Sequence, residues 1–365
     1  MKFSSLFTTC LLALLSISAT AQIKPEVSEA VELMSILSRT AGLQEYNMDM
    51  AGQYTTDTEA WFAPHKGHPI IAYYQGLHDN QSISYDAVMS MAIHLDIDEG
   101  KIKFKGEPSD LEQRWNGVDI NDFITRLNKF YADTRFHNFY KEHREFYEEG
   151  LKAYEANVMS YFHQDWYARF YGTAPTEQFR IVIGFTNGGG NYGPSRQLPG
   201  QPKEVFAICG YFINPNTGKA FENGASMAST LIHEFNHSFV NPLLNEAKNA
   251  TLMEATGRRL QRLSILGMER QHYLNWQTVI NESIVRAAVI LYMLDQGFDD
   301  KSVANEMAVQ VCHDFNWMPE LVATLRHYAA SRNQYPTLNT FYPEIASCLS
   351  QYVESEFERM RKPLR

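Results

Sequence analysis

Residues 233–237 read His-Glu-Phe-Asn-His. Residues four apart on a helix lie one turn above each other, so the imidazoles of His233 and His237 can reach one ion. Glu234 then points near the open coordination position, where it can take a proton from a bound water. So short a string can arise by accident, and its surroundings decide what it means. Leu231, Ile232, Phe235 and Phe239 surround it with apolar residues, and Ser226 offers an upstream cap. That pattern predicts a buried helix, ended by Asn241-Pro242. Two His and a Glu on such a helix are costly to leave without a partner, and a metal satisfies all three.

A catalytic zinc takes three protein ligands and keeps one position for water. The residues after His237 (Ser238-Phe239-Val240-Asn241-Pro242) supply no third His, so that ligand comes from elsewhere. Two glutamates compete. Glu254 is followed by Arg258 and Arg259, and an ion pair accounts for it. Glu282 opens a helix whose next turns, 284–294, are apolar almost all round, and a carboxylate so placed needs a cation. The predicted ligand set is His233, His237 and Glu282, holding one Zn2+ per chain, with Glu234 as the base. Arg286, one turn after Glu282, is placed to orient that carboxylate or simply to form an i,i+4 pair with it.

These helices need a scaffold. From Pro25 to about Gly172 the pattern is mostly helical: Val27, Val31, Met34 and Leu37 recur at three- and four-residue spacing, and 85–95 repeats the pattern behind Ser82 and Ser84. Residues 179–185 then read as a strand, Asn187 to Gly193 as a Gly-rich turn or mobile rim, and 204–213 as a second strand. The expected product is an antiparallel hairpin immediately before the metal helix, its exposed edge able to hold an extended peptide. From Ser226 onward the chain is helical again. The expected fold class is α+β, predominantly helical, with a small mixed sheet packed on the H-E-x-x-H helix. Residues 22–172 form a helical N-terminal region and 173–365 the metal-bearing core with its C-terminal helices, together one unit.

Composition narrows the function classes. The chain has 365 residues, 44% hydrophobic and 20% charged, which excludes a disordered or low-complexity protein. Lys+Arg 32 against Asp+Glu 42 gives a net charge of −10 with no basic block, so nucleic acid is not an expected partner. Residues 1–21 read as a signal peptide: Lys2, an apolar stretch from Leu6 to Ile17, and Ala19-Thr20-Ala21 before Gln22. The stretch is too short for a membrane anchor. The expected product is exported, periplasmic or extracellular, and without a stable membrane anchor. Cys209, Cys312 and Cys348 remain, with no C-x-x-C spacing; one disulfide or three buried thiols both fit.

With the H-E-F-N-H helix and Asn281-Glu282 on a second helix, the chain resembles the gluzincin branch of the thermolysin-like zinc metallopeptidases. More closely, it is similar to a family of exported bacterial gluzincin-like proteins of unassigned function. The resemblance implies a zincin-like core, His233 and His237 as ligands, Glu234 as general base and Glu282 as third ligand. The spacer before Glu282 is longer here than in thermolysin-type enzymes. The implied activity is peptide-bond hydrolysis on a peptide or protein substrate. The alternative is a non-catalytic exported protein that keeps the fold and binds metal or peptide. Zinc peptidases commonly add a donor to the developing oxyanion; Tyr335, Tyr342, His327 and Arg286 are all in plausible places for it.

Overall fold

The computed structural model describes residues 23–175, 177–271 and 273–362. The segment expected to be a signal peptide lies outside the described residues. Eight helices precede the main sheet's central strands: α1 (Glu29–Thr40), α2 (Gln53–Phe62), α3 (Pro69–Gln81), α4 (Asp86–Ile93), α5 (Ile120–Asp133), α6 (Phe136–Glu142), α7 (Arg144–Asn157) and α8 (Asp165–Tyr171). Seven follow: α9 (Gly224–Asn245), α10 (Ala247–Leu263), α11 (Ile265–Arg270), α12 (Trp276–Asp295), α13 (Asp300–Cys312), α14 (Met318–Ala330) and α15 (Leu338–Arg361). The protein is α+β and predominantly helical. Within the region expected to be helical, β2 (Leu95–Asp98) and β3 (Lys101–Phe104) form a short antiparallel hairpin. Its turn is tight because Glu99 and Gly100 both take positive φ.

The main sheet is small and mixed, in the order β1 (Pro25–Glu26), β4 (Gln178–Gly184), β6 (Glu204–Gly210), β5 (Ser195–Arg196). The expected antiparallel hairpin is not formed. β4 and β6 run parallel, from Gln178 opposite Glu204 to Gly184 opposite Gly210. The connection between them is long enough to cross back, and its second half returns as β5, antiparallel to β6. β6 is therefore central and buried along its whole length, which suits its continuous run Val205-Phe206-Ala207-Ile208-Cys209. The exposed edge belongs to β5.

The Gly-rich segment is packed, not a mobile rim. Gly188 sits at φ +66°, and a Cβ there would collide with the Glu45 carbonyl; Gly189 lies against Met50. Side chains at these positions would push the crossover off the N-terminal region. Buried apolar residues form one continuous cluster from Ala30 to Val353, so the helical N-terminal region and the later helices share a core. No described helix is long and apolar enough to cross a membrane.

Candidate metal centre

α9 is fixed by the residues between its charged ones. Phe235 stacks on Phe179 of β4 with ring centroids 4.3 Å apart, and Phe239 stacks on Tyr171 at 4.5 Å. Asn236, fully buried, accepts a hydrogen bond from the Tyr171 hydroxyl (2.8 Å) and donates to the Val285 carbonyl of α12 (3.4 Å). With Phe235 and Asn236 turned inward, His233, Glu234 and His237 share the opposite, half-buried face. The helix starts at Gly224, two residues before the expected Ser cap, and continues through Pro242 to Asn245. Proline removes the bond to the Ser238 carbonyl, but Ser238 lines an open cleft where water can serve that group. Buried Val240 and Leu244 hold the last turn in place.

α12 brings the third side chain. It begins at Trp276, capped by Asn275, whose side chain accepts from the Thr278 N–H at 2.8 Å. Glu282 therefore lies in the second turn and does not open the helix. Its carboxylate meets both imidazoles: Oε2 is 3.5 Å from His233 Nε2, and Oε1 is 3.4 Å from His237 Nε2. The two Nε2 atoms are 3.2 Å apart. Among the described residues this is the one group of His, Cys, Asp or Glu side chains compact enough to share a metal ion. Glu254 lies outside it, ion-paired with Arg258 at 2.8 Å on the exposed face of α10.

Neighbouring side chains hold the donors in place. His237 Nδ1 lies 3.2 Å from Asn241 Oδ1, which puts the proton on Nδ1 and leaves the Nε2 lone pair for an ion. Arg286 donates from Nε to Glu282 Oε2 (3.1 Å), and its other nitrogens reach Gln310 (2.7 Å) and the Tyr273 hydroxyl (2.8 Å). Burial drives His233 down to about 3, so the imidazole is neutral, the form that ligates metal. Burial alone would raise Glu282, but His233, His237 and Arg286 outweigh it and hold that carboxyl below the usual range. Glu234 goes the other way: burial pushes its carboxyl up, and the nearby Glu282 charge adds to the shift.

Glu234 and His237 line a cleft of about 530 Å³. Its lining comes from α9, between Glu234 and Asn245, from Gly193, Pro194, Ser195 and Val205, and from a wall of Asp86, Ser90, Asp110, Leu111 and Glu112, with Glu177 and Lys203. Gly193 abuts the Glu234 carboxylate so closely that a Cβ would overlap it. Tyr192 exchanges both backbone bonds with Ile208, and Pro194 accepts from Phe206. By antiparallel alternation the N–H and C=O groups of Gly193 and Ser195 therefore turn away from β6, along the edge.

His233, His237 and Glu282 come together in one cluster, and Glu234 lines the cleft beside them. Arg286 alone of the four candidate oxyanion donors reaches the cluster. His327 and Tyr342 belong to α14 and α15, Tyr335 lies in the loop between those helices and donates to Glu344 at 3.4 Å, and none of the three lines the cleft. Sequence reasoning missed Asn241, Tyr273, Gln310, Gly193 and the acidic wall. The i,i+4 spacing of His237 and Asn241 was the one available signal. The three described cysteines are free: Cys209 is buried in β6, Cys348 is half-buried and Cys312 is exposed, so neither a disulfide nor three buried thiols is found.

The family model described as Domain of unknown function (DUF4932) matches residues 23–348. No curated protein and no solved structure matches the chain.

Proposed function

The chain belongs to the DUF4932 family, and from that premise we propose that it is an exported zinc-dependent peptidase of the gluzincin type. One observation carries the reading. A tetrahedral zinc with bonds of about 2.0–2.1 Å separates its ligand atoms by roughly 3.3 Å. The three donor separations here are 3.2, 3.4 and 3.5 Å, in a two-nitrogen, one-carboxylate set common to hydrolytic zinc sites. Zinc bound there would supply Lewis acidity, making a water acidic and a carbonyl electrophilic.

The chain's own residues do the rest. Glu234 takes the proton of the attacking water on its carboxylate and later passes it to the leaving amine. A carboxyl raised above its ordinary value is suited to both halves of that transfer. Asn241 and Arg286 fix the His237 and Glu282 donor atoms. The outward backbone groups of Gly193 and Ser195 can pair with an extended peptide beside Glu234, at the β5 edge and not along β6.

Elemental analysis of purified protein, with a broad peptide-library digest, tests the proposal. The expected result is about one zinc per chain and cleavage that a chelator abolishes and zinc restores. Absence of a stoichiometric transition metal after zinc is supplied overturns it. Bound zinc without cleavage leaves a metal- or peptide-binding protein instead.

A further inference from the structure

The part of the cleft lining drawn from residues 86–112 is acidic. Asp86 comes from the first turn of α4, and Asp110 and Glu112 from the irregular segment after β3, yet all three line one cavity with Glu234 and His237. Their neighbours do not balance them. Arg114 pairs with Asp86 and, at 2.7 Å, with Glu112, so one guanidinium serves two carboxylates. Asp110 accepts the Glu107 backbone N–H at 2.8 Å, a dipole that carries no net charge. The one cationic residue lining the cleft is Lys203. Glu234, largely enclosed and without a hydrogen-bond partner among the described residues, adds its carboxylate to the same space. Clefts lined by one sign of charge between low-dielectric walls concentrate the opposite charge.

We propose that this cleft selects peptides bearing a lysine or arginine side chain, held against Asp86, Asp110 and Glu112. The inference rests on the peptidase reading and names its substrate class. A volume of about 530 Å³ accommodates a long basic side chain together with the backbone beside Glu234. The Asp86 side chain, paired with Arg114 through Oδ1, is 57% exposed and can meet a further cation from solvent. Beside it Tyr85 is 55% exposed, available to cover the aliphatic stem or face of such a side chain. An acidic peptide would meet three carboxylates with little to offset them.

The test uses zinc-supplied full-length protein and matched peptides with Lys, Arg, norleucine or Glu at one position. The expected kcat/KM for the Lys and Arg peptides exceeds that of the norleucine and Glu peptides by about fivefold or more at low salt. The gap shrinks toward parity in about 0.5 M salt, where exposed charges are screened. Asp86→Asn and Asp110→Asn each narrow the Lys-to-norleucine ratio, and the salt series on wild type makes the same check without any substitution. Binding of fluorescent basic and acidic peptides to Glu234→Gln protein, followed by anisotropy, separates this proposal from the peptidase reading. Cleavage indifferent to charge, or favouring Glu, overturns the inference and leaves the peptidase standing. No cleavage, with salt-sensitive preference for the basic peptide in binding, overturns the peptidase and supports the acidic recognition wall. No charge preference in either assay overturns the inference.

Discussion

Glu234 and Glu282 are carboxylates beside the same imidazoles, yet their surroundings drive them apart. The imidazoles and the Arg286 guanidinium beside it hold the Glu282 carboxyl below its usual range, and burial raises Glu234. Such divergence separates a ligand from a base. Glu234→Gln should therefore keep zinc occupancy and melting temperature near wild type while cleavage falls on the order of a hundredfold or more. Unchanged cleavage by that variant would place the activity elsewhere. His233→Ala and Glu282→Ala should each empty the site in elemental analysis, and Glu254→Ala should leave it full. Loss of metal from Glu254→Ala alone would exchange the two assignments. The ligands were legible because four-residue spacing has only one geometric meaning on a helix, and because the apolar turns after Glu282 leave its carboxylate needing a cation. Tyr273 and Gln310 were not legible. They reach Arg286 from separate elements, and nothing in their local sequence encodes that meeting.

Strand content is a local property and strand pairing is not. β-branched and apolar residues identify β4 and β6, but their parallel register depends on a crossover that packs against Glu45 and Met50. The same contact gives Gly188 its importance: positive φ and a facing carbonyl both forbid a side chain. Gly188→Ala should lower stability by about 2 kcal/mol, seen as a reduced urea midpoint with an unchanged slope. A midpoint equal to wild type would mean that the crossover can shift without loss. Pro242 teaches a related lesson. Helix-breaking rules describe a residue's preference, whereas Val240 and Leu244 on either side are buried and carry the helix past it.

The N-terminal region and the later helices share one apolar core, and Glu32 ties α1 to α2 and to the segment that follows β4. Fully buried on α1, its carboxylate accepts the Phe185 N–H (2.7 Å) and the hydroxyls of Tyr54 (2.9 Å) and Thr186 (3.1 Å). Burial raises it from 4.5 to about 7. Between those values the folded chain keeps a proton that the unfolded chain has lost, so this group's contribution falls as pH rises from about 4.5 to about 7, then levels off. The span corresponds to roughly 3 kcal/mol. Stability of Glu32→Gln relative to wild type should rise across that window in urea titrations at stepped pH; a difference independent of pH would refute the assignment. Zinc bound as proposed would tie α9 to α12, so a chelator should lower the melting temperature of wild type and leave Glu282→Ala unmoved.

The donors at 233, 237 and 282 and the wall at 86–112 lie far apart along the chain, which has a consequence for biosynthesis. A nascent polypeptide stopped anywhere before Glu282 lacks a ligand, and one stopped soon after it lacks the helices against which α12 is buried. On the proposed reading, hydrolytic capacity would arrive late in synthesis, only after the chain has passed Glu282 and the helices that pack on α12.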